Sequence, residues 1–120
     1  MSFNTLEGGI TCPFCKSEIL SGIGFRLGKI AGSRYKIGDQ LDWEGGDCRP
    51  KRRPSVSTIK TIGYFNCDNV TCYSWKDCYP DVQLALITVE DNVITGVELY
   101  KGKEPKKQFA ILEPASLKSQ

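Results

Sequence analysis

The sequence predicts a mostly β protein, in which two cysteine knuckles are elaborated by a small antiparallel sheet ending in a C-terminal hairpin. Three observations lead there. Apolar and polar residues alternate over several short stretches, the pattern of strands buried on one face. No stretch sustains the 3.6-residue apolar spacing of a long helix. Two close cysteine pairs, Cys12-Pro13-Phe14-Cys15 and Cys67-Asp68-Asn69-Val70-Thr71-Cys72, are separated by strand-forming sequence.

Taken in order, Ile23, Phe25 and Leu27 alternate, as do Tyr35, Ile37, Leu41 and Trp43 across a break at Gly38 and Asp39, giving short strands joined by a turn. Residues 44–54 read as a loop. From Val56 to Phe65 the chain is rich in β-branched and aromatic residues and runs directly into Cys67, so this strand would deliver the second knuckle. The clearest local feature is a hairpin over residues 82–100 that turns at Asp91 and Asn92, residue types that tolerate the left-handed conformation of a two-residue turn. Its first strand is apolar on both parities and should be central. The second alternates, placing Val93, Thr95, Val97 and Leu99 on one face. Residues 101–107 look solvated, and residues 109–112 can add an edge strand. A chain of 120 residues is one domain's worth. We expect a single domain over residues 1–120, with an ordered core at about 10–112 and a frayed tail at 113–120.

Composition narrows the function. A net charge of +2 is too small to imply a nucleic-acid partner by itself. The chain has neither an apolar run long enough to span a bilayer nor a signal-like start, so a cytoplasmic location without membrane contact is expected. In a reducing compartment six cysteines point to metal ligands or free thiols; in a secreted chain they would suggest disulfides. Histidine is absent, which removes the commonest general base and the commonest nitrogen ligand. The carboxylates are scattered over turns and strand faces, and no enzyme activity is expected.

Pairs of cysteines two to four residues apart on tight turns suit Zn²⁺, which takes four thiolates at about 2.3 Å. The ligands expected are Cys12, Cys15, Cys67 and Cys72, with Cys78 as a possible substitute. Such a site is closed to substrate and contributes folding energy on the order of 10 kcal/mol. Its thiolate charge calls for backbone N–H donors and nearby cations such as Lys16 or Lys76. The competing reading of Cys12-Pro13-Phe14-Cys15 is a thiol oxidoreductase, whose C-x-x-C opens a helix that lowers the thiol pKa. The sequence after Cys15 carries Gly22 and Gly24 and alternates like a strand, which does not fit that context. Cys48 lies among basic neighbours that favour a thiolate, although a plain loop thiol is the simpler reading. The run Arg49, Lys51, Arg52 and Arg53 is a possible contact for nucleic acid or an acidic partner, set against an ordinary solvated loop.

The segment Tyr64 to Trp75, with the Cys-Pro-x-Cys knuckle at Cys12, resembles the Ogr/Delta zinc fingers, phage activators of late transcription. That resemblance implies zinc at the four matching cysteines and contact with RNA polymerase. Residues 35–43 and 93–98 are similar to segments of small bacterial zinc-ribbon-like proteins of unknown function, in which a sheet separates two knuckles. The expectation is therefore a zinc-ribbon-like, non-catalytic module, binding an unidentified protein partner as an adaptor. The alternatives are a transcription-associated factor that touches nucleic acid or polymerase, and a C-x-x-C oxidoreductase.

Overall fold

The computed structural model describes residues 2–76 and 79–117, whose regular structure is almost entirely strand. The strands are β1 (Asn4–Glu7), β2 (Ile23–Phe25), β3 (Gly28–Lys29), β4 (Arg34–Lys36), β5 (Cys48–Arg49), β6 (Thr58–Phe65), β7 (Trp75–Lys76), β8 (Tyr79–Pro80), β9 (Gln83–Glu90), β10 (Val93–Leu99) and β11 (Ile111–Glu113), followed by a 3₁₀ turn at Ala115–Leu117. Seven of them form one mixed sheet in the order β10-β9-β6-β2-β1-β4, with β11 also on β6. Two small ribbons, β3 with β5 and β7 with β8, stand apart from it.

The long strand β6 organises the sheet. Along one edge it pairs with all of β9, from Thr58 opposite Glu90 to Phe65 opposite Gln83. Its other edge is shared: β11 pairs near Thr61 and β2 pairs at Tyr64. Such a divided edge forces the sheet to curl. The curl is completed beyond β4, where Gly38 N donates to Ile94 O (2.7 Å), Ile94 N to Asp39 O (2.9 Å) and Leu41 N to Asn92 O (2.9 Å). Gln40 thereby bridges Val93, joining the far end of the sheet to β10.

The alternation at Ile23, Phe25 and Leu27 is matched by complete burial of all three. They share the core with Leu6, Ile87, Val89 and Ile94, each side chain contributing on the order of 2 kcal/mol when removed from water. The 82–100 hairpin forms as expected, with Asp91 (φ 47) and Asn92 (φ 69) in the left-handed region. Its first strand, β9, is central, lying between β10 and β6.

Several sequence expectations are corrected. On β10 the register shifts between Ile94 and Gly96. This bulge turns Ile94 into the core and leaves Thr95 exposed, so the face proposed from Val93 to Leu99 is interrupted. The second half of the 35–43 alternation is a single bridge rather than a strand, and Ile37 is exposed. The pairing is not wholly antiparallel, because β1 runs parallel to β4, with Leu6 opposite Tyr35. Strand β1, within residues 4–7, had no alternation long enough to mark it in the sequence. Among the described residues no helix is long and apolar enough to cross a membrane.

Candidate metal centre and basic loop

Two turns build the cysteine site. In the first, Cys12 N donates to Ser17 O and Lys16 N to Cys12 O, both at 2.9 Å, and Thr11 bridges Glu18. The chain therefore folds straight back on itself, with Lys16 in the left-handed region (φ 66). No helix follows Cys15, so the helix N-terminus that activates a thioredoxin-like thiol is missing here. The second turn leaves the end of β6. Asn69 Oδ1 accepts from Thr71 N (3.1 Å) and Thr71 Oγ1 (2.7 Å), and Asn69 O accepts from Cys72 N (2.9 Å). This side-chain turn brings Cys72 back over Cys67.

Together the turns place the sulfurs of Cys12, Cys15, Cys67 and Cys72 within 4.8 Å of one another, a group that could hold a metal ion. Cys12 Sγ lies 3.8 Å from Cys72 Sγ, and Cys15 Sγ 3.6 Å from Cys67 Sγ. Disulfide sulfurs are bonded at about 2.05 Å; these four are free thiols. Cys12, Cys67 and Cys72 are buried, and Cys15 is partly exposed. The substitute ligand Cys78 lies outside the described residues.

Neutral donors surround the sulfurs. Phe14 N donates to Cys12 Sγ (3.4 Å), while Ser74 N (3.4 Å) and Ser74 Oγ (3.2 Å) donate to Cys72 Sγ. Asn69 Nδ2 reaches Cys15 Sγ at 3.8 Å. Hydrogen bonding with the Ser17 hydroxyl and backbone brings the Cys15 thiol down to about 6, whereas burial pushes Cys67 up to about 12. Lys16, expected to offset thiolate charge, instead directs Nζ to Pro13 O at 3.1 Å.

Asp68, Ser17, Asn69 and Ser74 were not singled out from the sequence. Asp68 is the most telling: its Oδ2 accepts from Leu20 N (2.5 Å) and Ser21 N (3.0 Å), tying the second knuckle to the chain leaving the first. Burial would raise its carboxyl, but the Ser21 and Leu20 donors prevail and hold it below the usual carboxylate range. The only advance signal was a short polar residue within two positions of each cysteine, which is common in any turn. Trp75 adds a further tie, with Nε1 donating to Cys67 O at 2.9 Å.

Cys48 is buried within β5, and its Sγ donates to Trp43 O at 3.4 Å. It is therefore a packed thiol in a short strand and not part of a plain loop. Lys51, Arg52 and Arg53 are exposed, and Arg49 is half-exposed with Nη1 on Asp47 Oδ1 at 2.6 Å. These cations lie apart from the cysteine cluster. No protein-family model, curated protein or solved structure matches the chain. The likeness to Ogr/Delta fingers thus rests on the two cysteine segments alone.

Proposed function

We propose that the chain is a non-catalytic adaptor whose two knuckles are clamped by one structural Zn²⁺ and present a protein-binding surface. The observation that carries the reading is the sulfur spacing. Ligands at about 2.3 Å around a tetrahedral ion stand about 3.8 Å from one another; two of the sulfur pairs are 3.8 Å and 3.6 Å apart, and all four sulfurs lie within 4.8 Å of one another. Cys12, Cys15, Cys67 and Cys72 would hold the ion as thiolates. The N–H and O–H donors at Cys12 and Cys72 would spread the negative charge of such a cluster. Four protein ligands leave no position for a substrate, and so support a structural role.

The surface that favours a protein partner lies on the knuckles themselves. Phe14 is 41 % and Tyr73 70 % exposed, and their rings meet edge to face at 5.2 Å across the two turns. Leu20 and Val70 are exposed nearby along the same segments. Metal would thus shape an apolar tip from two distant parts of the chain. Its cytoplasmic setting, which keeps thiols reduced, belongs to the same proposal.

Elemental mass spectrometry on native, tag-free protein tests the metal, together with a thiol count before and after chelation. One zinc per chain, with four thiols released together, is expected. A metal-free protein with Cys12 and Cys15 reversibly oxidised would overturn it in favour of redox chemistry. For the adaptor, a photo-crosslinking residue at Tyr73 should give a discrete protein adduct that Phe14→Ser abolishes; absence of any adduct would refute that role.

A further inference from the structure

We propose that the face bounded by the basic loop binds a single strand of nucleic acid, with backbone phosphates held by Arg26, Arg49, Lys51 and Lys107 and a base laid against Phe3, Tyr64 and Phe109. The basic clefts and the aromatic trough share no lining residue with the Phe14–Tyr73 tip, although the trough reaches Ser21 and Asn66 at the base of the knuckles.

The first observation is a convergence of charge. Arg26, Arg49, Lys51 and Lys107 line one cleft of about 290 Å³, and no carboxylate lines it with them. They come from three separated parts of a chain whose net charge is only +2, so this is not the by-product of one basic run. A cleft lined by one sign of charge draws anions toward it.

The second observation is a donor without a partner. Arg26 Nε is buried and makes no hydrogen bond, the one such side-chain atom among the described residues. Buried polar groups are nearly always paired; Nε itself has no surface open to a ligand, so a phosphate in the cleft would be met by the terminal nitrogens of this guanidinium and would engage Nε only if the side chain shifts. Arg49 is steadied at Nη1 by Asp47, and a guanidinium with five donors keeps others for a ligand.

The third observation selects a polymer over a lone phosphate. Phe109 borders the basic cleft and also a neighbouring trough of about 280 Å³ that includes Phe3 and Tyr64. Phe3 is 45 % exposed; its ring lies 6.3 Å from that of Phe109 at an interplanar angle of 23°, while Tyr64 meets Phe109 edge-on at 5.0 Å. Phe109 holds this place from the left-handed region (φ 55), which a bulky residue seldom occupies. On the far side, Pro50 and Lys51 lead into a third cleft of about 310 Å³ with Arg52 and Arg53. Aromatic trough, basic cleft and basic cleft thus follow in series. That is the combination of stacking platform and phosphate track that single strands require, since a duplex hides its base faces. Stacking and phosphate contacts carry this binding, so it should largely tolerate sequence.

The test is fluorescence anisotropy of the full chain, as isolated, with labelled single strands of about 12 nucleotides and the matching duplex. The single strand should bind better than the duplex, and log affinity should fall with log salt at a slope of about −2 to −3, as three or four phosphate contacts give. Lys51→Gln, in an exposed loop, should flatten that slope by about 0.7. Phe3→Ser should weaken binding about 5- to 100-fold and leave the slope unchanged. Arg26→Gln should also weaken binding, and Lys51→Gln decides the matter if that variant does not fold. Wild-type affinity in both Lys51→Gln and Phe3→Ser would overturn the proposal. So would equal binding of the duplex, or displacement by a mononucleotide at the strand's own affinity, which would mark a small phosphate-ligand site.

Discussion

Removing the side chain of Asn4 should loosen the fold far more than its place near the start of the chain suggests. Asn4 lies in β1 with no exposed surface. Its Nδ2 donates to Lys29 O at 2.9 Å and, less closely, to Leu27 O at 3.4 Å; its Oδ1 accepts from Ser33 N at 3.1 Å and Ala31 N at 3.3 Å. One amide thus pins the whole crossing from β2 to β4. Counting about 1 kcal/mol for each of the two shorter bonds and about half that for each longer one gives about 3 kcal/mol for Asn4→Ala. With a urea slope of about 1.5 kcal/mol/M, the midpoint should fall by about 2 M, at unchanged slope, in equilibrium unfolding followed by Trp43 and Trp75 fluorescence. Asn4→Asp should be worse at neutral pH, because its carboxylate would face two carbonyl oxygens without water. Its folded pKa would then rise above the unfolded value of about 3.9, so that stability is lost as pH climbs from the unfolded to the folded value and is regained on acidification. A loss of less than about 0.5 kcal/mol in Asn4→Ala would refute the reasoning.

Asn92 latches the segment that closes the sheet, accepting from Trp43 Nε1 at 2.6 Å and donating to Leu41 O at 2.9 Å. Asn92→Gly keeps the turn but should cost about 1–3 kcal/mol, with a red shift of Trp43 emission as its check. At Gly22 (φ +83), a Cβ would stand 2.9 Å from Leu6 O and against the Thr5 side chain; Gly22→Ala should destabilise by about 2–3 kcal/mol in thermal unfolding. Asp68→Ala should weaken metal retention about 10- to 100-fold, read by competition with a chromophoric chelator. The Arg34 hydrogen bond lowers the Glu7 carboxyl below 4.5. Stability from this exposed pair is therefore present above that pH and lost as pH falls through the folded value; carboxyl NMR should return Glu7 to the ordinary range in Arg34→Gln.

The elements legible in the sequence are those whose information is local. The Asp91-Asn92 turn announces itself by residue type, and Ile23, Phe25 and Leu27 by strict alternation. The four cysteines were recognisable because few other chemistries use such spacing. Strand β1 was not legible, since four residues carry too little pattern and its place depends on partners 17 to 29 positions away, at Ile23–Phe25 and Arg34–Lys36. The bulge at Thr95 was hidden for a related reason: alternation in a sequence cannot reveal where one residue is left unpaired. The gathering of Arg26 and Lys107 beside the 49–53 run likewise depends on tertiary structure alone.

The two knuckles lie on either side of a long excursion, for 51 residues separate Cys15 from Cys67. An ion that joins them acts on the unfolded chain much as a crosslink would, and closing a loop of that length removes entropy equivalent to about 4 kcal/mol at 25 °C. It also imposes an order on events at the ribosome. Cys12 and Cys15 emerge with half of a ligand set, and would wait while β2, β4 and all of β6 are made. Tight retention of a metal would therefore begin only when Cys72 has left the exit tunnel, when β1, β2, β4 and β6 are made but β9, β10 and β11 are still to come, so that a bound ion would tie the first half of the sheet together before the hairpin joins it.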